Sequence, residues 1–450
     1  MVDTNSVTQT DNPPAPRQWR LRRVKRHCVV PVPARLEDLL PAEHLARQIW
    51  EVLDGLDLAA FYARIKAVEG GPGAAAIDPQ ILLALWLYAI SQGVTSAREI
   101  DVLRVEHLVY IWICGGVALN YHTISDFRTA YAAELDALLT QVLGQLQQAD
   151  LVELKTQTQD GMRVRASAGA ASFRREPTLT EALAHAQAQQ HQVTQLGNAT
   201  DDVRTAGQQA AQERAAGERV ERLEAALAEM PAARAAKKAA ERDKARVSST
   251  DPEARVMKMP DGGYRPAYNW QFGVELRNFV ITGVEVVNTG SDKAQMEPLL
   301  NQVVRRTQQR PENWLVDGGF VKLTAIENLA ARGVTVFAPI PEPQDASRDR
   351  YAPLPTDSES VAAWRQRMGS AEGQAIYKQR SLVELPNAQA RSRYGVQQVR
   401  VRGLRKVRCV AVWVALTHNL LIWIRQRQHM AGTPRVPTSA AAAGLTGAPQ

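Results

Sequence analysis

The stretch LVELKTQTQDGMRV, residues 151–164, alternates in a way that predicts a β-strand. Every second residue from Val152 to Val164 falls on one face, and that face carries the apolar side chains together with Asp160. An ionised carboxylate in register with apolar residues needs a cation or hydrogen-bond donors to offset its desolvation. We therefore interpret Asp160 as a candidate functional acid, with a sheet-edge or turn position at Asp160-Gly161 as the structural alternative.

The residues before this strand, 34–147, predict a helical region. Asp78-Pro79 predicts the start of one helix, because Asp is a favoured cap and Pro is favoured at the first helical position. Thr123 with Asp126 three residues later is typical of a capping box, and it predicts the start of another helix with a leucine-rich inner face.

Further strands and helices follow in an order that predicts an α/β sheet. PAYNWQFGVEL (266–276) and FVITGVEVVNT (279–289) predict a β-hairpin. A helix (292–307) and a short strand (313–317) then follow, and a second helix runs to about residue 331. After it come a strand (333–340) and a mostly helical segment (357–392). This order favours a mixed sheet with helices on its faces, of the ribonuclease-H type.

Residues 178–245 interrupt the strand pattern with a segment rich in Ala, Gln, Glu and Arg. Apolar residues from Val220 to Met230 fall at heptad spacing, while Gly197 and Pro231 indicate breaks between helical arms. We interpret the segment as an inserted, coiled-coil-like helical hairpin that either pairs protomers or stands in solvent.

Composition and charge favour a globular protein with a polyanionic partner. The chain has 450 residues, 45% of them hydrophobic and 22% charged, which is enough to bury the cores of two or three domains. The net charge is +7, and two basic runs, 17–26 and 391–408, contain no acid. Such runs favour contact with phosphate over a merely solvated surface.

No feature of the sequence predicts export or a membrane. The three cysteines are widely separated, which suits a reducing cytoplasm, and the polar N-terminal residues do not resemble a signal peptide. The longest apolar runs are short for a bilayer span, so we predict core helices instead. We expect a cytoplasmic protein.

Two acids accompany Asp160 as candidates. Asp317 ends a short buried strand before two glycines, where ligand sites of α/β sheets gather. Glu384 lies in YKQRSLVELPNAQAR (377–391). Three carboxylates from two strands and a helix fit a two-metal site for phosphoryl transfer, because Mg²⁺ prefers hard oxygen ligands. Asp251, Asp261 and Asp292 lie in the same region, and Asp261 is expected to form a turn.

The chain resembles bacterial insertion-sequence transposases of the DDE class that carry a Y-R-E-K signature. Tyr377, Arg380 and Glu384 match its spacing, and Arg391 stands where the signature has Lys. The resemblance is to the group numbered eleven eighty-two in the insertion-sequence four/five superfamily. The other segments that carry it are TISDFR (123–128), QDGMRVRASAGAASFRRE (159–176), TDPEARVMKMPDGGYRPAYN (250–269), GSDKAQM (290–296), VDGGF (316–320) and VRGLRKVRCVAVWVALTHNL (401–420).

The resemblance implies that Asp160, Asp317 and Glu384 are catalytic and hold two ions of Mg²⁺, or of Mn²⁺ as a substitute. Water would free a 3′ hydroxyl at the element end, and that hydroxyl would attack target DNA. Tyr377 would grip the strand together with Arg380 and Arg391, which share one helix face unless Pro386 breaks the helix. The further predicted DNA contacts are Arg402, Arg405, Lys406 and Arg408.

The partners implied are double-stranded DNA, as terminal repeats and target, and a second protomer in the DNA complex. Two other functions remain open: a catalytically inactive DNA-binding repressor and a metal-dependent nuclease without strand transfer. A nucleoid-associated location is expected. The predicted division of the chain is a disordered basic tail (1–25), a helical DNA-binding domain (26–149), the first part of a ribonuclease-H-like domain (150–177), the helical insertion (178–245), the rest of the catalytic domain (246–428) and a disordered tail (429–450).

Overall fold

The computed structural model describes residues 35–67, 75–199, 206–343, 345 and 347–430. The predicted tail 1–25 and the basic run 17–26 lie outside these residues, as does most of the predicted tail 429–450. Residues 429 and 430 are described, and they form the last residues of a helix rather than the start of a tail.

The first part of the chain is helical, as predicted. After a short 3₁₀ helix at Leu36–Leu39, its helices are α1 (Leu45–Asp54), α2 (Ala59–Tyr62), α3 (Pro79–Ser91), α4 (Ala97–Glu106), α5 (Leu108–Cys114), α6 (Tyr121–Ala130) and α7 (Ala132–Gln148). Helix α3 begins where the sequence predicts, because Asp78 accepts a hydrogen bond from the backbone N–H of Gln80 and Pro79 opens the helix.

The predicted capping box at Thr123 is wrong. Helix α6 begins earlier, since the Oδ1 of Asn120 accepts from the backbone N–H of Thr123 at 2.9 Å and caps the helix there. Thr123 and Asp126 therefore lie inside α6, and the leucine-rich helix α7 starts after Tyr131 without a side-chain cap. Asn is at least as favourable a cap as Thr, and the cap formed by Asn120 places the start of α6 before Thr123.

A six-stranded mixed sheet forms the centre of the rest of the chain. Its strands run in the order β4-β5-β1-β7-β8, and β6 pairs with β5. β1 is antiparallel to β5 and parallel to β7, as expected for the ribonuclease-H type, and β2 and β3 form a separate pair. The strands are β1 (Thr156–Arg165), β2 (Phe173–Arg174), β3 (Val247–Ser248), β4 (Arg255–Lys258), β5 (Tyr264–Glu275), β6 (Ile281–Val287), β7 (Asn313–Leu315) and β8 (Thr335–Phe337).

Helices connect and cover these strands. They are α8 (Glu176–Ala199), α9 (Ala206–Ala228), α10 (Met230–Ala235), α11 (Met296–Thr307), α12 (Leu323–Ala331), α13 (Glu359–Gly369), α14 (Ala371–Lys378), α15 (Glu384–Ser392) and α16 (Leu404–Met430). Short 3₁₀ helices lie at Ala170–Ser172, Ala239–Lys244, Gly318–Phe320 and Gln379–Val383. Between β2 and β3, α8 and α9 pack through Leu179, Ala186, Val220 and Leu223. Gly197 lies within α8, while Pro231 opens α10 after a break.

Both faces of the sheet are covered. On one face, Met162 and Val164 of β1 and Trp270 of β5 pack against α16 and the N-terminal helices in one continuous core. That core crosses the predicted boundary at residue 149, and the domain division stays a prediction. On the other face, α11 and α12 form a second core with β7 and β8 around Trp314, which is fully buried.

The polar side chains of β1 lie on the face opposite Asp160, and part of that face is buried. Helix α11 covers this face, and Gln157 and Gln159 are fully buried. Gln159 donates to Gln271 and accepts from Trp314, and Gln157 accepts from Thr282, while the Nε2 of Gln157 has no partner within the described residues. Buried amides that bond one another mimic, in sequence, the pattern of an exposed strand face.

Helix α16 is longer than its apolar run suggests. Its Leu404–His429 segment is long and apolar enough to cross a membrane, which corrects the expectation that no run is long enough. However, 89% of the most apolar window of this segment is buried inside the protein. His418 bonds the carbonyl of Phe279, and Asn419 bonds both backbone groups of Ile281. The helix is the predicted core helix, and the polar pair ties it to β6.

Candidate active site

The pairing of β1 with β7 brings Asp160 and Asp317 together. The two strands are parallel with Thr158 opposite Leu315, so two residues further along each strand Asp160 and Asp317 lie side by side on the same face. Asp317 caps the 3₁₀ helix that follows β7, accepting from the backbone N–H of Gly319 at 2.8 Å. The turn predicted from the two glycines therefore fixes the orientation of this carboxylate.

Glu384 reaches the site through a break in the helix. Helix α14 ends at Lys378, a 3₁₀ helix follows, and α15 begins at Glu384 itself. Pro386 lies in the first turn of α15, where no intrahelical donor is needed. The expectation that positions 377 to 391 share one continuous helix face is therefore wrong, for the reason that Pro386 indicates.

The guanidinium of Arg380 joins the three acids. Its Nη2 lies 2.9 Å from Asp160 Oδ1 and 3.6 Å from Asp317 Oδ2, and its Nη1 lies 3.8 Å from Glu384 Oε1. Exposure of the acid side chains rises from 16% for Asp160 to 40% for Asp317 and 69% for Glu384. Three acids that are far apart in sequence thus converge around one cation, open to solvent on the side of Glu384.

Asp160 is the most buried of the three acids. Burial raises the pKa of its carboxyl group, while Arg380 opposes that rise and Asp317 adds to it. The Nδ2 of Asn387 donates to Asp160 Oδ2 at 2.8 Å, so both carboxylate oxygens have a donor. Sequence reasoning missed Asn387; its place one helical turn after Glu384 was the available signal.

A fourth acid, Asp292, supports the backbone beside Asp160. Its Oδ1 accepts from Asn269 and Gln271, each at 2.7 Å, and its Oδ2 accepts from Arg163 at 2.9 Å. A Cβ placed on Gly161 would lie only 2.5 Å from Asp292 Oδ1. Asp292 therefore packs directly on the residue after the first acid.

The other two aspartates considered from the sequence have structural roles. Asp261 forms the expected turn, accepting from the backbone N–H of Gly263 at 3.1 Å. Asp251 is fully buried and accepts from the Tyr268 hydroxyl at 2.7 Å and from the backbone of Gly403. Neither contacts the three acids.

Tyr377 lies at the site and Arg391 lies beside it. Tyr377 is half-buried, and burial raises the pKa of its hydroxyl, with Arg380 opposing and Asp317 adding to the rise. Arg391 lines a separate cavity of about 290 Å³ together with Arg163 and Arg265. Because Arg163 also bonds Asp292, this basic cavity adjoins the acids through the Asp292 network.

The four basic residues predicted after the last acid lie at or just before the start of α16. Arg402 donates to the carbonyl of Ser167 at 3.3 Å, and Arg408 lies 3.6 Å from Glu285. Arg405 and Lys406 are exposed. Within the described part of the chain none of the four contacts Asp160, Asp317 or Glu384, so the structure does not gather them at the acids.

The donor chemistry of the site fits a hard divalent cation. Three carboxylates surround Arg380, and the buried Oδ1 of Asn387 has no hydrogen-bond partner within the described residues. In the residues that the structure describes, no three acidic, His or Cys side chains are close enough to hold a metal as they stand. The guanidinium lies among the carboxylates, so cation binding requires it to move.

Comparisons with known families identify transposase domains in this chain. Residues 238–420 match the family model of the transposase DDE domain, and residues 34–130 match a model described as a transposase domain (DUF772). No curated protein and no solved structure matches the chain. The matches are consistent with an insertion-sequence transposase; the specific group and its signature stay predictions. Asp317, Arg380 and Glu384 lie inside the first match, whereas Asp160 lies outside both matches.

Proposed function

We propose that the protein is a DDE transposase that cuts at the ends of an insertion sequence and joins them to target DNA. The observation that carries this proposal is the convergence of Asp160, Asp317 and Glu384 on Arg380. The transposase DDE match over residues 238–420 supports it. The alternative of an inactive DNA-binding repressor is not favoured, since the three acids are in place.

Asp160, Asp317 and Glu384 would hold two divalent cations, Mg²⁺ or Mn²⁺, and such ions would supply activation of the attacking oxygen and stabilisation of the leaving one. The rigidity of this ligand set comes from the protein. Gly319 fixes Asp317 from the backbone, and Asn387 fixes Asp160 from α15. Glu384, the most exposed acid, is the one free to adjust when DNA enters.

Arg380 has two roles in this proposal. In the free protein its charge reduces the repulsion among the acids, which would otherwise be strong at such short range. Its buried Nε has no hydrogen-bond partner within the described residues, which leaves a donor for a phosphate oxygen. With the acids occupied by cations, the guanidinium would be free to turn to the DNA strand, with Tyr377 beside it to donate to a phosphate or stack on a base.

The DNA strand continues from the acids over the neighbouring basic surface. Arg391 lines a cavity with Arg163, Arg165 and Arg265, which extends along β1 away from Asp160. Arg402, Arg405, Lys406 and Arg408 near the start of α16 contact DNA further from the scissile phosphate. The helices of residues 26–149 bind the terminal repeats, and a second protomer joins in the DNA complex.

Strand cleavage and joining on labelled element-end DNA with Mg²⁺ or Mn²⁺ tests this function. Glu384→Gln keeps the shape and removes the charge, and we expect it to bind DNA but neither cut nor join. Glu359→Gln is a matched control, because Glu359 is also an exposed first residue of a helix. Equal activity in both variants would overturn the proposal. A wild-type protein that cuts DNA but does not join it would be a nuclease instead of a transposase.

A further inference from the structure

A basic cavity of about 470 Å³ lies between the N-terminal helices and the loop that precedes α16. Its basic lining comes from Arg98 on α4, Arg128 on α6 and Arg400 in the loop, and no acid lines it. The hydroxyls of Ser125 and Ser167 also line it. The cavity is thus built by four separate parts of the chain, and none of the three acids lines it.

Arg128 is a buried cation without a counter-charge. Only 6% of the residue is exposed, and its guanidinium packs 4.9 Å from the ring centre of Trp86. One nitrogen donates to the carbonyl of Thr95 at 2.9 Å, but the Nε has no hydrogen-bond partner within the described residues. No carboxylate forms an ion pair with it in the described part of the chain.

The surroundings of Arg128 make its buried, unpaired charge energetically unfavourable. Burial lowers the pKa of Arg128 to about 10, and the nearby Arg400 adds to this effect. A buried charge that lacks a partner destabilises a fold, so such groups are normally paired. By contrast, the other strongly buried arginine, Arg306, is paired with Asp136.

The cavity offers further donors to an anion. Helix α4 begins at its edge, with Ser96 as the cap, so the first backbone N–H groups and the helix dipole favour negative charge there. Arg98 is held over the ring of Tyr121, 5.4 Å from its centre, which leaves its charge exposed at the rim.

We propose that this cavity binds a phosphate of the DNA backbone, with Arg128 at its base and Arg98 and Arg400 at its rim. The inference rests on the proposed function, since it takes DNA as the source of the phosphate. A phosphodiester carries one negative charge and accepts several hydrogen bonds, which fits guanidinium groups. The site positions the N-terminal helices on DNA and takes no part in cleavage.

The first test measures thermal unfolding of the full-length protein with and without inorganic phosphate. We expect phosphate to raise the Tm of wild type and not that of Arg128→Met, because only a ligand of the folded state stabilises it. Without phosphate, Arg128→Met should unfold at the wild-type temperature or higher. Arg306→Met, which removes the buried partner of Asp136 and leaves it only Arg305 at 3.7 Å, should unfold at a lower temperature. A lower Tm of Arg128→Met, together with a wild-type Tm that phosphate does not change, would mean that Arg128 only stabilises the fold. That result would overturn the proposal.

The second test measures DNA affinity against salt concentration. Each lost phosphate contact reduces the slope of log K against log [salt] by about 1, so Arg98→Gln and Arg400→Gln should each lower it. Because Arg98 and Arg400 are exposed, their variants can be tested even if Arg128→Met fails to fold. Arg64→Gln is the matched control, because Arg64 also packs over a tyrosine but pairs with Glu134. An unchanged slope together with phosphate protection would assign the cavity to a free anion and overturn the DNA assignment.

The two proposals can fail separately. If Glu384→Gln still cuts DNA, the catalytic assignment fails, while phosphate protection and the salt slope still report on the cavity. If the slope is unchanged in Arg98→Gln and Arg400→Gln but Glu384→Gln is inactive, the cavity assignment alone fails.

Discussion

Arg380 donates to Asp160 at 2.9 Å across 220 positions of sequence. The same guanidinium lies within 4 Å of Asp317 and Glu384, so it occupies the centre of the acid cluster. The Arg380 side chain thus holds the three carboxylates near one another in the absence of a metal. This arrangement gives a reason for an arginine four positions before Glu384.

Replacement of Arg380 should impair cleavage. Arg380→Met removes both the charge that holds the acids together and the donor proposed for a phosphate oxygen, and loss of one such donor typically costs about 100-fold in rate. We expect a loss of at least that order in single-turnover cleavage. Lys378→Met, an exposed cation on the same segment, should cleave at the wild-type rate; an Arg380→Met protein that cleaves equally fast would refute the role.

Asn387 should determine the metal requirement. Asn387→Ala removes the donor to Asp160 Oδ2, and loss of such a supporting contact typically weakens metal affinity about 10–100-fold. The concentration of Mn²⁺ needed for half-maximal cleavage should rise accordingly, with partial rescue at high Mn²⁺. Asn301→Ala serves as control, because Asn301 is an exposed residue of α11 whose side chain accepts from Arg332. If the Mn²⁺ dependence of cleavage is unchanged in Asn387→Ala, the bond from Asn387 to Asp160 does not contribute to metal binding.

Gly161 should tolerate no side chain. Gly161→Ala forces Asp292, Gln271 or Arg163 to move, because all three lie within 3 Å of the new Cβ. Overpacking of this kind typically costs about 1–3 kcal/mol, and we expect lower stability to urea together with lost cleavage. Gly144→Ala in α7, where the new Cβ meets nothing within 4 Å, should be stabilised by about 0.5–1 kcal/mol. Similar stability of the two variants would contradict the packing of Asp292 on Gly161.

Burial of His418 should make the protein sensitive to acid. Burial lowers the pKa of His418 to about 4 from an ordinary value of 6.5, so the unfolded chain binds this proton more readily than the folded one. Stability is then fully present above pH 6.5 and is lost as the pH falls towards 4, by on the order of 3 kcal/mol. His418→Gln can keep the bond to Phe279 without a titrating ring. Its stability should depend less on pH between 6.5 and 4, as measured by urea unfolding; identical profiles would contradict the assignment.

The sequence predicts the parts of the site that depend on strand pattern and turns. The alternation around Asp160 and the glycines after Asp317 were sufficient to locate two acids, because strand register and turn chemistry are local. The break before Glu384 was indicated by Pro386. The partners of the acids were not predictable in this way, since Asn387 and Asp292 approach Asp160 only through tertiary packing.

Two features of the fold do not follow from composition. Gln157 and Gln159 are polar, yet both are fully buried and form hydrogen bonds within the protein. Helix α16 looked short because its first turns carry Arg405 and Arg408, which extend the helix without being apolar. Composition reports which side chains are polar, whereas burial depends on which elements pack together.

The most direct test concerns Asp160, the acid that lies outside both family matches and whose assignment rests on geometry. Asp160→Asn keeps its shape and removes its charge, and Asp349→Asn is the matched control, because Asp349 is exposed and its Oδ1 accepts from the backbone N–H of Tyr351. On labelled element-end DNA with Mn²⁺, we expect Asp160→Asn to bind normally and show no cleavage or joining, while Asp349→Asn behaves as wild type. Cleavage by Asp160→Asn at the wild-type rate would contradict the three-acid site.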